Sequence, residues 1–217
     1  VSRGLGDVYK RQGVTGLTIA HELLRSDPNN KVTIVSKNFP TDFKIDKFYT
    51  SPIAGANWES FASDDDVAVQ EIDAVGYYKF QNLLKTRPEA GVTSRFNRVL
   101  VTWDNYRDIG GSIKHFPWFK NMSCKFRELD ASEFHKDKFA YGYEFDGFVI
   151  RTSYYLTFLI NEMWKMAGPI ASANPFSGVP GKNGSHASRF NLKRFTLTSI
   201  KEAFNLHANG KADIVVN

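Results

Sequence analysis

The sequence predicts an α/β fold, and three observations carry that expectation. A glycine turn, a helix, a tight turn and an apolar strand follow one another within residues 13–37. That order is a βαβ unit without its first strand. The strand "KVTIVSK" is short, β-branched and bounded by turn residues, as a buried strand is. The last residues, "KADIVVN" at 211–217, read as another strand of the kind that parallel sheets bury on both faces.

Each element follows from local pattern. Residues 14–25 read as a helix because Leu17, Ala20 and Leu24 fall on one stripe, with Leu23 beside it. "SDPNN" at 26–30 breaks it. Residues 68–85 are the second helix, with Val69, Ile72, Phe80, Leu83 and Leu84 broadly on one side, and "RPEAG" at 87–91 stops it. "RVLVTWD" at 98–104 is a strand. "YGYEFDGFVIRT" at 141–152 suggests two short extended pieces around Gly147. In residues 153–168, Leu156, Leu159, Ile160 and Met163 match the spacing of an amphipathic helix. "ASANPFSGVPGKNGSHAS" at 171–188 reads as a surface loop, and "FNLKRFTLTS" at 190–199 as a further strand.

The composition removes several function classes. No apolar run approaches the ~20 residues that span a bilayer. Cys124 is the only cysteine, so no intrachain disulfide forms and a reducing compartment is expected. His21, His115, His135, His186 and His207 are scattered and show no metal-ligand spacing. The net charge of +5 includes Arg3, Lys10 and Arg11 against Asp7 in the first twelve residues, and it is too small to argue for nucleic acid. The 18 Phe and 9 Tyr are spread along the chain, which fits core and pocket lining rather than base stacking.

The chemistry concentrates in two places. Gly13 and Gly16 are spaced like the last two glycines of a dinucleotide fingerprint, with Arg11 where the first should stand. There, Gly13, Val14, Thr15 and Gly16 would offer a close backbone approach and free helix N–H groups to phosphates. At the end of the second strand an acidic residue usually meets ribose; here Ser36 and Lys37 stand instead.

The second place is "FYTSPIAGANWESFA" at 48–62. It resembles the flavin-embracing loop of the D-amino-acid oxidase and D-aspartate oxidase family, the fungal members most of all. "GVTGLTIAHEL", "VTIVSKNFPTD", "QEIDAVGYYKF", "RPEAGV", "GFVIRTSYYLTFL" and "ADIVVN" resemble that family in the same order, over residues 13–217. Small residues Ala54, Gly55 and Ala56 let main-chain N–H groups approach a planar polar ring. Thr50, Ser51 and Asn57 supply short hydrogen-bonding side chains.

The resemblance implies FAD as cofactor, with backbone contacts from Leu197 to the adenine. It implies an FAD-binding Rossmann-like sheet interleaved with a partly antiparallel substrate domain. The implied activity is oxidation of D-amino acids by molecular oxygen, giving imino and then keto acids, hydrogen peroxide and ammonia. It implies no nucleic-acid or membrane partner and allows a homodimer. It places a eukaryotic member in the peroxisome, and any other in the cytoplasm. Another FAD-dependent amine or amino-acid oxidoreductase, or a product that holds no flavin, are the alternatives.

Family members open on an apolar strand, whereas this chain opens on "VSRGLGDVYKRQ". Its "DVYKRQ" is similar to a translated sequencing adaptor. Residues 1–12 are therefore expected to be non-native coil, and residues 13–217 a partial oxidoreductase domain truncated at both ends. The substrate-gripping tyrosines and arginine are expected beyond Asn217, and the chain alone is expected to be inactive. Arg151, Tyr154 and Tyr155 are read as packing residues.

Overall fold

The computed structural model describes residues 13–42, 49–168, 188–207 and 211–216. The first twelve residues and most of the 171–188 loop lie outside the described residues. The elements in chain order are α1 (Val14–Ser26), β1 (Val32–Ser36), β2 (Gly55–Asn57), α2 (Val67–Thr86), β3 (Val92–Thr102), α3 (Trp103–Asp108), β4 (Arg127–Glu128), β5 (Phe139–Arg151), α4 (Thr152–Ala167), β6 (Phe190–Arg194) and α5 (Ile200–Ala203). The chain forms two compact units. The first draws its described residues from Val1–Ala54 and Thr152–Asn217, the second from Gly55–Arg151. The fold is mixed helix and strand, of the α/β class.

In the first unit α1 buries Leu17, Ala20 and Leu24, the stripe that the sequence predicts. Asp27 then closes the turn, accepting from the Asn29 N–H at 2.7 Å through its side chain and from the Asn30 N–H at 3.1 Å through its carbonyl. The chain returns along α1 as β1, which pairs in parallel with β6 in the register Val32↔Phe190 to Ser36↔Arg194. Most of β1 is half-buried rather than fully covered. Helix α4 buries Tyr155, Leu156, Phe158, Leu159, Ile160 and Met163, a broad face that packs on α1. Trp164 meets Phe190 edge-on, with centroids 4.7 Å apart, and so ties α4 to β6.

Two strand expectations fail in this unit. "FNLKRFTLTS" is strand only through Arg194. Residues 211–216 form no strand, and Ile214 is 80% exposed. Among the described residues the stretch is held by one backbone bond, from the Ala212 N–H to the Phe204 carbonyl at 2.8 Å. Apolar, β-branched residues favour a strand only where a neighbouring edge offers its donors and acceptors.

The second unit is antiparallel. Its strands run β2–β5–β3, with β4 also on β5. Strand β3 pairs with β5 from Val92↔Ile150 to Thr102↔Phe139, with an irregularity between Val101 and Thr102. The core is aromatic: Trp58 meets Tyr77 at 4.8 Å and Phe119 at 5.3 Å, and Tyr77 meets Phe148 at 4.9 Å.

Three readings are corrected here. Residues 139–151 form one long strand, not two pieces around Gly147. Gly147 sits inside that continuous ladder, opposite Arg95 on β3, and a Cβ there would crowd only the movable end of the Asn97 side chain, at 2.7 Å. Trp103 and Asp104 begin α3 instead of ending a strand, because the Thr102 side chain caps that helix through the Asn105 N–H at 3.3 Å. On α2, Leu83 is buried but Val69 and Ile72 are exposed; Tyr77 carries the packing in their place. "RPEAG" does stop α2, with Gly91 in the left-handed region at φ 70°.

Burial pushes the hydroxyls of Tyr77 and Tyr155 up to about 12, with lesser contributions from Cys124, Asp146 and Tyr78 for the first and Glu22 for the second. The unfolded phenol ionises near pH ~10, so the folded state binds the proton more tightly. The contribution of these two tyrosines to stability is therefore full below about pH 10 and is lost progressively as the pH rises toward 12. Thermal melts against pH, followed with tyrosine absorbance, check this. Full ionisation of both tyrosines near pH ~10 without loss of structure contradicts it.

Candidate functional site

At the start of α1, Gly13 is extended (φ −79°, ψ −167°), and its carbonyl accepts from the Leu17 N–H at 3.1 Å. Gly13, the N-cap, has no side chain with which to cap the helix, and no acidic residue stands in the first turn. Among the described residues the N–H groups of Val14, Thr15 and Gly16 have no acceptor. These donors and the helix dipole together favour an anion. Because β1 returns along α1, the start of that helix lies at the carboxyl end of β1 and β6. Open α/β sheets bind ligands at that end.

The other residues predicted at this end differ in availability. Ser36 is buried, and its hydroxyl donates to the Asn38 carbonyl at 2.8 Å. Lys37 is exposed. Leu197 lies three residues beyond β6 and is buried, at 6% exposure. Sequence reasoning missed what fixes this end. Arg194 makes a two-pronged pair with Asp42, at 2.7 and 2.5 Å, and also donates to the Lys37 carbonyl at 2.7 Å. Hydrogen bonds to Asp42 raise the Arg194 guanidinium further above its usual range. No acidic residue stands at Ser36 or Lys37, and Asp42, six positions beyond β1, is engaged by Arg194.

The predicted loop 50–57 runs from the first unit into the second. In the first unit Ser51–Ile53 form a 3-10 turn, closed by the Ile53 and Ala54 N–H groups on the Thr50 carbonyl at 3.0 and 2.9 Å. Tyr49 before it is buried, which raises its phenol well above the usual range, with Asp42 adding to the effect. Thr50 and Ala54 are exposed, and Ser51 is half-buried.

In the second unit Gly55, Ala56 and Asn57 form β2, the edge strand beside β5. The ladder dictates where their backbone points. The Trp58 N–H donates to the Phe148 carbonyl at 2.9 Å, and the Arg151 N–H turns to the Gly91 carbonyl at 2.9 Å on the far side of β5. Antiparallel pairs alternate, so Ala56 faces β5 while the N–H and C=O of Gly55 and Asn57 point out from the sheet edge. Gly55 and Asn57 are exposed. A Cβ at Gly55 would meet nothing within 4 Å, and Gly55 is not among the positive-φ glycines. Among the described residues neither packing nor backbone strain explains a glycine there. Trp58 pins the end of the strand, its indole N–H donating to the Asp73 carbonyl at 3.0 Å.

Of the three residues read as packing, Tyr155 is packed, with 5% exposure. Tyr154 is 57% exposed, so packing does not explain it, and Arg151 is exposed at the end of β5.

No family model matches the chain. It is 34% identical over 212 residues to a D-amino-acid oxidase of Fusarium vanettenii, an alignment that covers 94% of this chain and 51% of that protein. It is 31% identical over 147 residues to a D-amino-acid oxidase of Schizosaccharomyces pombe, covering 68% of this chain and 39% of that one. The chain therefore spans about half, or less, of the length of the curated relatives it matches.

Proposed function

The chain belongs to the D-amino-acid oxidase family, and from that premise we propose that the whole protein is an FAD-dependent oxidase of D-amino acids. The outward backbone edge of β2, with a glycine that neither packing nor backbone strain among the described residues requires, is the observation that carries the reading.

The residues present fit a flavin nucleotide. The uncapped start of α1 takes the pyrophosphate through the N–H groups of Val14, Thr15 and Gly16, and Gly13 keeps the approach clear. Lys37 adds a positive charge at the same end of the strands, and Ser36 holds the strand terminus in shape. The main chain at Leu197 is the contact for the adenine. Gly55 and Ala56 allow close approach to the isoalloxazine, while Thr50, Ser51 and Asn57 hydrogen-bond its polar edge or the ribityl chain. FAD, when bound, supplies the two-electron acceptor for hydride from the substrate α-carbon and the means of passing those electrons to oxygen. The residues of this chain bind and orient that group. They are not assigned to gripping the substrate.

Peroxide release by the whole protein, with FAD in excess, tests the reading. D-alanine or D-aspartate is expected to be turned over, and the L-enantiomers are not. Turnover of neither enantiomer, or of both equally, contradicts it.

A further inference from the structure

We propose that Thr152 is a positioning residue for the flavin-facing turn, acting through the carbonyls of Pro52 and Ala54. The inference rests on the reading that residues 50–57 face FAD. Thr152 is the first residue of α4, and its hydroxyl lies 3.1 Å from the Pro52 carbonyl and 3.0 Å from the Ala54 carbonyl. These residues are about one hundred positions apart in sequence, so the contact is made only by the folded chain.

The 3-10 turn satisfies its own N–H groups at Ile53 and Ala54 on the Thr50 carbonyl. The carbonyls of Pro52 and Ala54 are two of the groups that the turn does not use, and one hydroxyl proton serves both. Among the described residues no peptide bond is cis, so the Ala54 C=O and the Gly55 N–H point in opposite directions. Holding the Ala54 oxygen on the Thr152 side therefore aims the Gly55 N–H the other way. The ladder independently turns that same N–H out from the edge of β2. Thr152 thus fixes the direction of a donor that meets no acceptor among the described residues. It touches no ligand itself.

The test compares Thr152→Val, which keeps the branched shape and removes the donor, with Thr152→Ser, which keeps the donor. FAD is titrated into each apoprotein by flavin fluorescence, and amide hydrogen exchange is read at Ile53, Ala54 and Gly55. Valine is expected to weaken FAD roughly fivefold, the worth of one hydrogen bond, and to speed exchange at those amides. Serine is expected to restore both to within about twofold of the parent. Thr152→Ala is the second donor-free variant if valine lowers the melting temperature. Equal FAD affinity and exchange in parent and valine proteins overturn the proposal, as does a serine variant that behaves like valine. A parent protein that binds no FAD removes the underlying reading as well. That outcome is distinct from a parent that binds FAD and a valine variant that binds it equally well.

Discussion

Gly55→Val is expected to weaken FAD binding by more than about tenfold, an energetic loss above ~1.4 kcal/mol, with little change in folding stability. The asymmetry comes from the geometry. A Cβ at this position meets nothing within 4 Å among the described residues, and Gly55 lies in a strand, where valine is favoured over glycine. Folding therefore has no reason to suffer. Branched bulk beside an outward N–H does obstruct a planar ring that must come into van der Waals contact with that backbone. Asn57→Leu is the companion change. Asn57 is exposed, and losing its amide is expected to cost about 1 kcal/mol per hydrogen bond to the flavin. Flavin titration of the two apoproteins, beside thermal melts, is the check. Unchanged affinity in both removes the 50–57 stretch from the site.

Arg189→Leu is expected to have the largest effect on stability, about 3 kcal/mol, or roughly 10 °C in melting temperature. The Arg189 guanidinium donates to the carbonyls of Leu24 and Asp27 at 2.8 Å each, and to those of Asn30 and Met166 at 3.2 Å. Leu24 is in the last turn of α1 and Met166 in the last turn of α4. Helix ends leave such carbonyls without partners, and their dipoles favour a cation. One planar fork thus joins two helix ends and the turn between α1 and β1. Leucine fills the volume and leaves those acceptors to water alone. Arg189→Lys, with a single ammonium, is expected to recover less than half of the loss. A melting temperature within about 2 °C of the parent contradicts the role.

What the sequence made legible divides along physical lines. Helices α1 and α4 were readable because their buried residues repeat at the helical period. Strand β5 is hard to read from sequence because Gly147 looks like a break, whereas in the fold it is one rung of a continuous ladder, opposite Arg95 on β3. Residues 211–216 carry a strand pattern, but pairing is a property of the neighbour as well as of the segment. At the candidate site, the small residues of 54–56 announced themselves locally. The partners that shape the site did not: Arg194 lies 152 positions from Asp42, and Thr152 lies 98 from Ala54. Side-chain contacts across such separations leave no periodic trace in a single sequence. The interleaving of the two units in the chain has the same consequence, because each side of the 50–57 stretch is supported by residues from the far end of an insertion.

The measurement closest to the central claim follows the visible absorption of the flavin-loaded whole protein under argon. Addition of D-alanine or D-aspartate is expected to bleach the bound flavin, and admission of oxygen to restore the colour with release of peroxide. The L-enantiomers are expected to leave the spectrum unchanged. A protein that retains no flavin, or whose flavin neither D-amino acid reduces, contradicts the account.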